Sequence, residues 1–127
     1  MMRIKGFDID SAKKHLWMTV DELSDIHKQG HTIGLHSYSH PTQISKLSKF
    51  EQQTEYQRNY EHLSKVTQTH IDVMSHPCGD YNQDTLDVLS SMGVTIGFRS
   101  NMSVNDIHSS LEIPREDHAN IFREMNK

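Results

Sequence analysis

Three times in this chain a segment with helical periodicity ends at a tight turn and runs straight into a short apolar stretch. Thr19-Val20-Asp21-Glu22 is a capping box, in which the threonine hydroxyl accepts from the glutamate amide and the glutamate reaches back to the cap. The helix it predicts carries Val20, Leu23 and Ile26 at helical spacing, with Lys28 near its end and Gly30 as a left-handed cap. His31 to Leu35 follows, a predicted strand with Ile33 and Leu35 on one face. Ser48-Lys49-Phe50-Glu51 opens a second helix to about Val66, with Phe50, Tyr56, Tyr60, Leu63 and Val66 as its stripe, and Ile71 to Met74 follows. Asn82 caps a third helix carrying Leu86, Val88, Leu89 and Met92, which Gly93 ends, and Val94 to Phe98 follows. Helices alternating with short buried strands predict an α/β domain with a parallel sheet and outer helices. Leu111 to Ile113 is a candidate fourth strand and Asp117 to Met125 a terminal helix. Residues 1–14 carry Ile4, Phe7 and Ile9 without either period and read as an extended arm or loop.

The 127 residues suit one domain spanning 1–127, and the 34% of hydrophobic residues, grouped into these segments, give it a thin core. A net charge of -4 leaves no basic stripe for a phosphate backbone, so nucleic acid is not expected as a partner. Cys78 stands alone, which excludes an intramolecular disulfide and a cysteine-based zinc site; a metal here is held by His, Asp or Glu. No run approaches the ~18 apolar residues of a membrane helix, and no signal peptide is visible, so no membrane partner and a cytoplasmic location are the expectation for the chain as written.

Chemistry concentrates at the predicted strand exits. His36 and His40 are four residues apart, separated by Ser37, Tyr38 and Ser39 and closed by Pro41. Ten histidines yield about 0.8 such pairs by chance, so context decides. Pro41 disfavours right-handed helix at His40, which makes the segment a turn where two imidazoles can converge on an ion; the alternative is a pair of surface histidines in a polar loop. The other pair, His27 and His31, straddles Gly30 and is not expected to share a face. In Ser75-His76-Pro77-Cys78-Gly79-Asp80-Tyr81-Asn82 the proline and glycine fix a turn that leaves the Cys78 N–H free. A backbone donor at a strand exit serves as an oxyanion hole; an ordinary strand-to-helix turn is the competing reading. Cys78 as a nucleophile lacks a well-placed base, since His76 at i−2 does not face it productively.

Two of these segments together resemble the polysaccharide deacetylase family, carbohydrate esterase family four, or NodB homology. Gly30 to Pro41 is similar to its second motif, His-Ser/Thr-x-x-His-Pro after a Gly-His-x-Ile-Gly strand, and Ser75 to Asn82 to its third, a Tyr-Pro-Tyr-Gly type loop before a helix. The resemblance implies a partial or distorted (β/α) barrel and removal of an acetyl group from a sugar by a divalent metal, usually zinc. By position, His36 and His40 are the implied metal ligands and the Cys78 N–H the oxyanion donor, with Pro77 and Tyr81 on the substrate side. The family's adjacent-aspartate motif, which supplies the base and the third ligand, has no acceptable match. Gly6-Phe7-Asp8-Ile9-Asp10 lacks adjacent aspartates and lies too close to His36. The expectation is therefore a deacetylase-like domain truncated at its N-terminus, hydrolysing the amide C–N bond of N-acetylated sugars in a polysaccharide. The alternative is a catalytically inactive remnant that binds carbohydrate or a partner. Ser75 stands where many members place an arginine, and Arg115 is the candidate to replace it; His118 is the candidate for the late Leu-His motif. A missing first strand leaves an unpaired sheet edge and hence an expected homo-oligomer.

Overall fold

The computed structural model of the chain describes residues 8–102 and 107–126, which fall into two compact units, Met1–His31 and Thr32–Lys127. Ile4 and Phe7, and with them part of the expected arm, lie outside the described residues.

In the first unit the predicted arm is corrected to a helix, α1 (Ile9–Leu16). Its start is written in polar chemistry: the Asp8 carboxylate accepts from the amides of Asp10 (3.0 Å) and Ser11 (3.3 Å), a side-chain cap that needs no hydrophobic stripe to announce it. α2 (Val20–Lys28) begins at the expected capping box, with the Glu22 amide on the Thr19 hydroxyl at 3.2 Å and the Thr19 amide on the Glu22 carboxylate at 2.7 Å. At its end Gly30 has φ of 92°, its N–H reaches the His27 carbonyl at 2.9 Å, and the His31 N–H reaches Ile26 at 3.3 Å. His31 thus closes the helix and does not open a strand. Leu23 and Ile26 are half-buried and Val20 is exposed.

The second unit holds α3 (Lys49–Thr67), β1 (Val73–Ser75), α4 (Gln83–Ser91), β2 (Ile96–Phe98) and α5 (His118–Met125), with 3-10 turns at Ile44–Lys46, Pro77–Gly79 and Ser110–Glu112. β1 and β2 pair in parallel, Val73 with Ile96 through Ser75 with Phe98. Single parallel bridges extend the ladder outward, Leu35 to Met74 and Phe98 to Ile113. The order Leu35, β1, β2, Ile113 is the predicted parallel α/β arrangement. The outer two members are shorter than predicted for identifiable reasons. Before Leu35, His31 is taken up in closing α2, its N–H on the Ile26 carbonyl at 3.3 Å. Before Ile113 a hydroxyl of Ser109 caps a 3-10 turn and the Leu111 carbonyl crosses Gly97 so closely that a Cβ there would lie 2.5 Å from it.

The core lies between the helices and this ladder, with Leu35, Ile44, Tyr56, Leu63, Ile71, Met74, Val88, Leu89, Val94 and Leu111 buried. Burying each such side chain contributes ~1.5–3 kcal/mol, so this unit carries its own hydrophobic driving force. α3 departs from the predicted stripe at its start, where Phe50 is 77% exposed and Gln52 is buried instead. Gln52 donates to the Leu47 carbonyl (3.0 Å) and to Asn82 (3.3 Å), and accepts from Thr85 (2.5 Å). A fully satisfied polar network therefore ties the first turn of α3 to the first turn of α4. Among the described residues no helix is long and apolar enough to cross a membrane.

Candidate functional site

Because the four ladder members are parallel, their carboxyl ends lie on one side, and His36, His76, Arg99 and Arg115 follow them closely in sequence. Leu35 fixes the first exit. Its N–H donates to the Val73 carbonyl at 2.8 Å and its carbonyl accepts from Ser75 at 2.9 Å. The next ring is then oriented by the neighbouring strand: His36 Nδ1 lies 2.7 Å from the Ser75 carbonyl. A carbonyl only accepts, so Nδ1 carries a proton, and in the neutral ring the lone pair is then on Nε2, the orientation that metal-binding imidazoles take from an outer partner. The His40 ring is brought to 4.8 Å from the His36 ring, centroid to centroid, at 60° between planes. The chain reaches this arrangement through two left-handed residues that are not glycine, Ser37 (φ 59°) and His40 (φ 56°). Each costs about 1 kcal/mol or more. Pro41 excludes the right-handed alternative at His40, as expected.

What holds the loop in that conformation was not visible in the local sequence. The Ser37 hydroxyl accepts the His40 amide at 3.1 Å. From α3, Asn59 Oδ1 accepts the His36 amide at 2.9 Å. Glu55 accepts the amides of Tyr38 (3.1 Å) and Ser39 (2.8 Å) and the Ser39 hydroxyl (2.9 Å). Arg58 lies over the Tyr38 ring at 3.9 Å. The one signal for these residues is their i, i+4 spacing on the helix that follows the loop.

The second exit is the Pro77–Gly79 turn. Cys78 is left-handed (φ 54°), as is Gly79 (φ 68°), and a Cβ at Gly79 would run into the Ser100 side chain. The Gly79 and Asp80 amides donate to the carbonyls of His76 and Pro77, both at 3.0 Å, and the His76 amide to Phe98 at 2.9 Å. Among the described residues no carbonyl accepts from Cys78. The Cys78 thiol is exposed whereas His76 is buried, so the structure does not bring them together as a nucleophile and its base.

His76 and Tyr81 form a supporting cluster. The His76 Nε2–H donates to the Leu111 carbonyl at 2.8 Å and its ring stacks on Tyr81 at 4.3 Å. Burial holds the His76 pKa below the usual histidine value, against the raising effect of the Leu111 hydrogen bond. The Tyr81 hydroxyl donates to Glu112 at 3.0 Å, and Arg99 lies 5.2 Å from the Tyr81 ring. Burial pushes the Glu112 pKa up, but the hydroxyls of Tyr81 and Ser109 together with His108 outweigh it and the net shift is downward. Tyr81 is therefore anchored beneath the turn by its hydroxyl. Pro77 is buried. Arg115 lies at the same end of the ladder as His36, yet it is exposed and its Nε–H donates to the Arg99 carbonyl at 3.1 Å. His118 is exposed and 3.4 Å from the carboxylate of its neighbour Asp117. His27 is half-buried and His31 exposed.

Metal chemistry asks for more than two ligands, and among the described residues no group of three or more His, Cys, Asp or Glu is placed to hold an ion. The histidine pair fits a metal in spacing and tautomer; among the described residues no carboxylate is brought to it to complete the set.

Residues 6–97 match the sequence profile of the polysaccharide deacetylase family. No curated protein sequence matches the chain. Solved structures do. The Streptococcus pyogenes deacetylase PplD in complex with acetate superimposes with a TM-score of 0.70 at 21% identity, over 78% of this chain and 44% of that one. IcaB from Ammonifex degensii gives 0.69 at 15% identity, over 84% and 51%. BA3943, a CE4 family pseudoenzyme from Bacillus anthracis, gives 0.56 at 19% identity, over 59% and 26%. This chain thus spans about half or less of the length of these structures, and the ladder of parallel strands corresponds to part of their barrel.

Proposed function

The chain belongs to the polysaccharide deacetylase family, and from that premise we propose that it carries the histidine side of a metal-dependent centre hydrolysing the amide C–N bond of N-acetylated sugars in a polysaccharide. The observation that carries the reading is the His36 and His40 pair, 4.8 Å apart with the His36 Nε2 left free, at the strand exit that neighbours the Cys78 turn. His36 and His40 would hold zinc, which when bound polarises an acetyl carbonyl and lowers the pKa of a water. The chain's own contribution is geometric. The Ser75 carbonyl keeps the proton on His36 Nδ1, and the Cys78 N–H, which has no acceptor among the described residues, is available to an oxyanion. Pro77 and the stacked His76 and Tyr81 hold that turn. PplD, a deacetylase in complex with acetate, supports removal of an acetyl group by likeness.

A second reading is favoured by the ligand count and by the likeness to the pseudoenzyme BA3943: a carbohydrate- or partner-binding member without turnover. Calorimetric zinc titration and acetate release from an N-acetylated oligosaccharide separate the two. The expected outcome for this chain is weak zinc binding, abolished in His36→Ala, with little acetate release, and turnover once an in-frame segment bearing adjacent aspartates is supplied. Absence of zinc binding would sink the metal reading. Tight zinc binding with full turnover would show a base and third ligand within these residues.

A further inference from the structure

The geometry points to Glu55 as a positioning residue that forms the metal-binding loop before any metal arrives, assisted by Asn59 on the same face of α3. The inference rests on the reading of His36 and His40 as ligands. Between and including those rings, the amides of Tyr38 and Ser39 go to one Glu55 oxygen and the Ser39 hydroxyl to the other, at 2.8–3.1 Å. The His36 amide goes to Asn59 and the His40 amide to Ser37. Left-handed backbone at Ser37 and His40 persists only where surrounding contacts enforce it, and the side chains that take the loop's backbone amides from outside it come from α3.

Glu55 is the right residue type to be a ligand itself, yet both of its oxygens are occupied by the loop's donors, and it joins no ligand cluster among the described residues. Its role is to order the loop in advance, so that binding does not have to fix the loop at the expense of affinity. Outer partners of this kind typically change metal affinity about 10–100-fold.

Cobalt(II) titration of the whole chain, followed by visible absorption, tests this with Glu55→Ala and Glu55→Gln. Glutamine keeps an oxygen for the two amides and offers an NH2 to the Ser39 hydroxyl. The expected result is about 10–100-fold weaker binding in Glu55→Ala and near wild-type binding in Glu55→Gln, with the band shape at saturation unchanged in both. Circular dichroism at the titration temperature confirms that each variant is folded. If the wild type binds no cobalt, the ligand reading falls and this inference with it. If the wild type binds and Glu55→Ala binds equally well, only this inference falls. An altered cobalt band in Glu55→Gln would make Glu55 a ligand and overturn the positioning role.

Discussion

The two strand exits solve the same problem by different means. Each needs left-handed backbone, Ser37 and His40 at one and Cys78 and Gly79 at the other. The Pro77–Gly79 turn has a buried proline, a glycine and short-range amide bonds inside it, and its long-range bonds enter at the flanks, His76 to Phe98 and Leu111 and Asp80 to Ser45. The His36–Pro41 loop takes most of its support from side chains 16 to 23 positions away. A turn written in its own residues survives changes elsewhere and fails when one of those residues is changed. A loop supported from a helix has the reverse weakness.

The sharpest way to break this comparison is Gly79→Ala. Its φ of 68° and the crowding against Ser100 predict a loss of about 2–3 kcal/mol, measured as the urea midpoint. Adding Ser100→Gly should recover part of it in a double-mutant cycle. A wild-type midpoint in the single variant would mean the glycine is not what holds the turn.

A smaller effect concerns pH. Burial holds His76 below the usual histidine pKa in the folded chain, while the unfolded chain titrates near 6.5. Below that value the unfolded state binds more protons. The stability is therefore fully present above about pH 6.5 and lost as pH falls toward the folded pKa. Urea midpoints at pH 7.5 and 5.5 should differ more for the wild type than for His76→Gln, and equal slopes would refute this role for His76.

The smallest effect tests the helix behind the loop. Tyr56, next to Glu55, is fully buried, and among the described residues its hydroxyl has no partner. Removing an unpaired buried hydroxyl leaves the hydrophobic body in place and lifts its desolvation penalty, so Tyr56→Phe should raise stability by about 1 kcal/mol, read as the urea midpoint. A large loss would reveal a polar partner for that hydroxyl and a different anchor for α3.

The same contrast explains what could be read from the chain directly. Helix starts were legible at Thr19, Ser48 and Asn82 because each cap and its partner lie three residues apart. The glycine stops at 30 and 93 were legible for the same local reason. α1 was not, because its start depends on one aspartate and its apolar residues show no period. The outer strands were overextended because His31 closes α2 and Leu111 belongs to a 3-10 turn capped by Ser109, neither of which apolar alternation reports. At the strand exits, the non-helical turns at His40 and Cys78 were legible from the prolines beside them. Glu55 and Asn59 were not, since on a polar helix their side chains look like solvent-facing ones until the loop folds against them.

The hydrogen bond from His36 Nδ1 to the Ser75 carbonyl, together with the Ser75 amide on Leu35, acts as a ruler between the two exits. The separation of the histidine pair from the Cys78 amide is set by one inter-strand spacing and not by the length of the chain that joins them. Relatives can therefore lengthen or shorten the link between α3 and β1 without retuning the site, provided Leu35 and Ser75 keep their pairing.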